Sequence, residues 1–162
     1  MDGSAAQPAG MSDIIGLGTD ITETVRISEM IERHGETFLN RVYTSDENRY
    51  CQRKKMAAQH YAGRWAAKEA VMKTLGTGWA KGVGWRDIEV CTSRSGQPWI
   101  ILHGGARDMA ESLGIQQVLI TISHCRAYAT ATAIAIGRLT APRSRPPIGD
   151  DDIRAEDDPP ME

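Results

Sequence analysis

From residue 128 to residue 136 every second position is alanine, and the positions between hold Tyr128, Thr130, Thr132, Ile134 and Ile136. A period of two is the mark of an extended strand, in which neighbouring side chains point to opposite faces. This strand has one bulky, β-branched face and one smooth face made of Ala129, Ala131, Ala133 and Ala135. A smooth face lets a helix approach closely. The segment 56–75 is the candidate: it is rich in alanine and ends at Gly76, a residue suited to a helix C-terminus.

The other signals are shorter. Ile14, Ile15 and Leu17, interrupted by Gly16 and Gly18, predict a short first strand that ends at Thr19 and Asp20. Glycine inside a strand permits close approach of another backbone or a ligand. A helix follows over about 25–34, with Ile27, Met30 and Ile31 as its apolar stripe and Gly35 as its stop. Thr44 and Glu47 have capping-box spacing and predict another helix start. Segments 87–92 and 99–103 read as strands around the turn Ser95, Gly96, Gln97, Pro98. A short helix over 105–113 and a β-branched strand over 118–123 complete the pattern. The expected class is α+β, with a mostly antiparallel sheet packed against one long helix.

Charge divides the chain into three parts. The whole carries −2, which excludes a strongly basic nucleic-acid packer and an acidic disordered chain. Residues 140–162, however, hold five of the seven prolines and seven acidic residues, and are expected to form a disordered tail. Residues 1–10 read as a flexible extension. The segment 11–139, the expected domain, carries +3. Three widely spaced cysteines, with no CxxC pair, fit reduced thiols in a cytoplasm and give no zinc pattern. The N-terminus lacks the basic and apolar regions of a secretion signal, and the apolar-rich run 118–136 is too broken to span a membrane.

On a helical wheel Trp65, Glu69, Lys73 and Gly76 fall within about 80° of one another. Lys68 lies to one side, and Arg64 stands one turn before it. Two readings follow. Glu69 and Lys73 form an i,i+4 pair on a solvated face, or a carboxylate among cations holds a hard divalent ion while the cations hold phosphate. Asp20 at a strand end is either a turn or N-cap aspartate or a second carboxylate for Mg²⁺. Gly76, Thr77 and Gly78 follow a helix C-terminus and form a cap, not an anion-binding loop. His124 stands between Ser123 and Cys125, whose side chains point to the opposite face of a strand, so a serine or cysteine hydrolase is poorly supported. His124 itself is a structural histidine or a ligand group at a strand end. Arg49, Arg53, Lys54 and Lys55, near Tyr43 and Tyr50, read as a solvated face, a docking site for an acidic partner or a nucleic-acid surface, the last without any recognised motif.

Several of these segments match one family together. IIGLGTDITETVRI (14–27), FLNRVYTSDENRYC (38–51), AGRWAAKEAVMKTLGTG (62–78), SGQPWIILHGGA (95–106) and ITISHCRAYATATAI (120–134) resemble the holo-acyl-carrier-protein synthases, the small bacterial type of 4′-phosphopantetheinyl transferase. The resemblance spans nearly all of 11–139. It implies transfer of phosphopantetheine from coenzyme A to a serine of an acidic apo acyl carrier protein, releasing adenosine 3′,5′-bisphosphate.

By matching position, the resemblance makes Asp20 and Glu69 the Mg²⁺ carboxylates and Lys73 a neutraliser of phosphate charge. Arg64, Lys68, Gly76, Thr77 and Gly78 are implied to line the coenzyme site, with Gly96, Pro98 and His124. Arg26, Met30 and Arg33 resemble the positions that dock the carrier. A trimer with active sites between subunits is implied as well. The serine proton needs a base: Glu69, directly or through a metal-bound water, is preferred, with His124 second. The rival readings are a metal-dependent phosphoester hydrolase and a non-catalytic module that binds an acidic partner.

Overall fold

A computed structural model describes residues 12–76 and 82–138, and both the expected N-terminal extension and the proline-rich tail lie outside them. The alanine alternation becomes strand β5 (Tyr128–Gly137), the centre of an antiparallel sheet between β1 (Asp13–Glu23) and β4 (Ile115–His124). Ala129, Ala131, Ala133 and Ala135 are all buried, and the long helix α3 (Ala57–Leu75) packs against β1 and β5.

The helix contributes its own small residues to this seam: Ala62, Ala66, Ala67 and Ala70 are fully buried. Gly16 and Gly18 of β1 complete it. A methyl group on Gly18 would run into the carbonyl oxygen of Ala70, and one on Gly16 into that of Thr74, both backbone atoms that cannot step aside. The α3 axis therefore lies closer to β1 than any side chain would allow.

β1 continues to Glu23, past the expected end at Asp20, because it pairs with β5 over its whole length, from Asp13 opposite Gly137 to Glu23 opposite Tyr128. Helix α1 (Thr24–Val42) also outruns its expected stop. Gly35 does break it, with φ 52° and ψ −134°, but helical backbone resumes and buries Phe38 and Val42 at i,i+4 spacing. The capping box forms as expected: Thr44 and Glu47 exchange hydrogen bonds at the start of α2 (Ser45–Gln52). A hairpin of β2 (Ile88–Thr92) and β3 (Pro98–Leu102), then α4 (Gly104–Ser112), complete the α+β fold.

An aromatic cluster joins α1 to α3. Phe38 stacks on Trp65 at 5.9 Å, Trp65 meets Trp85 at 4.2 Å, and Tyr43 packs on Tyr61 at 4.8 Å between ring centroids. Each such pair contributes about 0.5–1.5 kcal/mol beyond simple burial. Among the described residues, no helix covers the opposite face of the three-stranded sheet. Ile14, Leu17 and Ile21 project there with 71%, 66% and 68% of their surface exposed, and Leu119 and Tyr128 join them.

Candidate active site

Asp20 lies within β1 and not at a helix cap, so its turn or N-cap reading does not hold. Its carboxylate is fixed from both sides: Thr22 Oγ1 donates to Oδ2 at 2.9 Å, and Lys73 Nζ donates to Oδ1 at 2.9 Å. Lys73 also donates to the Thr19 carbonyl at 2.9 Å, so one ammonium ties α3 to β1. Glu69 stands one turn earlier on the same side of α3, half-buried.

Asp20 and Glu69 come from separate elements and offer hard carboxylate oxygens. Among the described residues no group of three or more His, Cys, Asp or Glu side chains is placed to hold a metal. That donor set fits Mg²⁺, which takes one or two carboxylates from a protein and completes its shell with water and substrate phosphate. It does not fit an all-protein cage.

A second centre lies on the other flank of α3. Arg64, Gly96, Pro98 and His124, expected near the coenzyme on family resemblance, line one pocket of about 130 Å³ together with Tyr50, Gln59, His60, Gly63, Thr92 and Ile122. Arg64 is only 4% exposed, yet none of its described partners carries a negative charge. Nη2 donates to the Thr92 hydroxyl at 3.1 Å, and the guanidinium lies 4.0 Å over the Tyr50 ring. It also bonds the Cys51 thiol, whose pKa burial pushes up to about 12, so that group stays neutral. Nε is buried with no hydrogen-bond partner. A buried cation with neutral partners and a free donor is costly until an anion arrives.

His60 and His124 meet edge to face across the pocket, with ring centroids 5.3 Å apart, and Tyr50 lies 5.8 Å beyond His60. Burial holds the His60 pKa below the usual histidine value, and the neighbouring His124, Lys54 and Arg64 push it in the same direction. Tyr50, His60 and Thr92 escape sequence reasoning because they come from α2, α3 and β2. Only the tertiary fold brings them together.

Lys68 requires correction. It is fully buried and spends its ammonium on Glu47 Oε2 at 2.8 Å, the Trp85 carbonyl at 3.0 Å and the Ile88 carbonyl at 2.6 Å. Three acceptors exhaust its three donors, so it holds α3 to α2 and β2 and has nothing left for a phosphate. Gly76 caps α3 in a left-handed conformation, while Thr77 and Gly78 lie outside the described residues. His124 ends β4 on the side facing α3, whereas Cys125 is exposed in the turn beyond. In the basic cluster, Arg49 pairs with Asp46 at 2.8 Å and Lys54 sits 4.5 Å over Tyr50. Arg26 and Arg33 are exposed on the first part of α1, and Met30 opens onto a groove of about 300 Å³ lined by His34, Phe38, Arg41 and Trp65.

The family model of the 4′-phosphopantetheinyl transferase superfamily matches residues 16–133. A holo-[acyl-carrier-protein] synthase of Gloeobacter violaceus is 50% identical over 130 residues, spanning 80% of this chain and 98% of the relative. One from Solibacter usitatus is 46% identical over 121 residues, spanning 75% and 97%. Among solved structures, Helicobacter pylori holo-[acyl-carrier-protein] synthase in complex with coenzyme A gives a TM-score of 0.65 at 29% identity, covering 74% of this chain and 98% of that one. The chain belongs to the 4′-phosphopantetheinyl transferase superfamily, and within it to the holo-[acyl-carrier-protein] synthases. No helix among the described residues is long and apolar enough to cross a membrane.

Proposed function

We propose that this chain transfers the 4′-phosphopantetheine group of coenzyme A to a serine hydroxyl of apo acyl carrier protein, with Mg²⁺, in the cytoplasm. The observation that carries the reading is Arg64: a buried guanidinium whose described partners are all neutral, opening into a pocket without a carboxylate in its described lining. A phosphate of coenzyme A supplies the missing anion. The H. pylori relative has coenzyme A bound, which is consistent with that occupant.

In the reaction, the serine oxygen attacks the β-phosphorus of the diphosphate. The bond from that phosphorus to the leaving phosphate oxygen breaks, and adenosine 3′,5′-bisphosphate departs with the electron pair. Asp20 and Glu69 would hold Mg²⁺, which when bound supplies charge neutralisation and polarisation of the diphosphate. Lys73 brings positive charge to the same edge of α3 and favours the charge that develops on the leaving oxygen. Glu69 is the group we assign to take the serine proton. Met30 and the groove beside Trp65 lie on the Glu69 flank of α3, and the exposed Arg26 and Arg33 suit an acidic carrier docked there.

The two centres sit roughly 140° apart around α3, on the Glu69 flank and the Arg64 flank, at about 100° per residue. That separation suits a site completed between subunits, the carboxylates of one beside the coenzyme pocket of the next. The uncovered apolar face with Ile14, Leu17, Ile21 and Leu119 is the surface for such self-association, and we assign a trimer.

The direct test is incubation with coenzyme A, Mg²⁺ and an apo carrier protein, followed by intact-mass analysis of the carrier. A gain equal to phosphopantetheine is expected. Consumption of coenzyme A without a carrier would instead indicate a phosphoester hydrolase.

A further inference from the structure

We propose that His60, in its protonated form, is a direct ligand for a phosphate of the coenzyme, acting beside His124 and Arg64. The proposal rests on the reading of the Arg64 pocket as the coenzyme site and goes beyond it by naming a further binding residue and a proton linked to binding.

The groups facing His60 are of one kind. Its own helix presents Arg64, the segment between α2 and α3 presents Lys54, α2 presents Tyr50, and β4 presents His124. Thr92 and Gln59 are the other polar linings, and both are neutral. No carboxylate lies among the described lining residues. In the ligand-free protein this surrounding disfavours a proton on His60, so the ring is neutral near pH 7. A phosphate placed between Arg64 and the two rings reverses the balance. An opposite charge within about 4–6 Å favours the charged histidine by 1–3 pH units.

Binding then takes up a proton, and by linkage affinity rises as pH falls from about 8 to about 6. A histidine here, where any flat ring could wall the pocket, makes phosphate affinity depend on pH. The second ionisation of the phosphate runs the other way, because a monoanion binds cations less well. The contribution of His60 is therefore read against a variant that cannot titrate.

Calorimetric titration of the full chain with adenosine 3′,5′-bisphosphate, in two buffers of different ionisation enthalpy at pH 6, 7 and 8, separates proton uptake from binding. The wild type is expected to take up more protons at pH 7 than His60→Gln. Its advantage in affinity should be about tenfold at pH 6 and nearly vanish at pH 8. Equal proton uptake by the two proteins overturns the proposal. If Arg64→Gln also weakens binding in that case, the pocket reading stands and only the role of His60 fails. If the bisphosphate binds neither protein at any pH, both fail. Should His60→Gln not fold, the His60 Cε1 proton resonance of the wild type decides. Its pKa should rise when the bisphosphate is added, and an unmoved value overturns the proposal.

Discussion

Lys68 and Glu47 meet at 2.8 Å with almost no surface of either side chain open to water. The carboxylate also accepts from the backbone N–H groups of Thr44 and Val90, so this one pair links the α2 cap, the centre of α3 and the edge of β2. Removing one member of a buried pair strands the other charge. Lys68→Ala is expected to cost about 3–5 kcal/mol of stability in urea denaturation. Lys68→Met combined with Glu47→Gln should cost less than the two single changes added together.

Glu69→Gln keeps the shape of the side chain and removes its charge. A role in holding the cation and taking the serine proton predicts that the transfer rate falls by about 100-fold or more. Circular dichroism and melting temperature should change little. A loss of stability matched by only a small loss of rate would assign Glu69 to structure.

Gly18→Ala sets a methyl against the Ala70 carbonyl. Overpacking of this kind costs about 1–3 kcal/mol, and because backbone stands on both sides the upper end is expected. Denaturant midpoints would check this, with Ala replacing the exposed Ser112 of α4 (Ser112→Ala) as the control.

Leu17→Glu and Ile21→Glu place charges on the uncovered sheet face without touching the α3 seam. If this face joins the subunits, light scattering should show a shift from trimer towards monomer, with transfer activity lost in parallel. An unchanged mass would remove this face from the interface.

Ligand-free stability should carry the signature of His60. Its folded pKa lies below the unfolded value of about 6.5, so between the two the unfolded chain binds more protons and stability rises with pH. As pH falls through this window the wild type should lose stability relative to His60→Gln. Melting temperatures at pH 5.5 and 7.5 test the difference between the two proteins. The opposite sign would contradict the neutral-histidine pocket.

Much of this architecture was legible because it depends on local pattern. The alternation at 128–136, the alanine run with its terminal Gly76 and the Thr44–Glu47 box each define an element by spacing alone. Boundaries were harder. β1 runs to Glu23 because β5 offers partners that far, and α1 resumes after Gly35 because Phe38 and Val42 find a core to enter. Lys68 misled for a physical reason: a lysine on a helix is ordinarily solvated, and nothing in 62–78 shows that three acceptors from α2 and the β2 approach wait for it. The Arg64 pocket was only half visible, since His60 and Tyr50 acquire their meaning from His124, distant in sequence.

The seam of Gly16, Gly18 and the β5 alanines has an effect beyond packing. Lys73 reaches Asp20 because α3 rests almost on the strand backbone at Gly16 and Gly18, where the Ala70 and Thr74 carbonyls leave no room for a Cβ. The reach of Lys73 is thus encoded by side chains that are missing. Enlarging the seam would lift the helix and separate ammonium from carboxylate while leaving every polar residue of the site in place. An enzyme altered in this way would keep its whole list of functional residues and still lose their alignment.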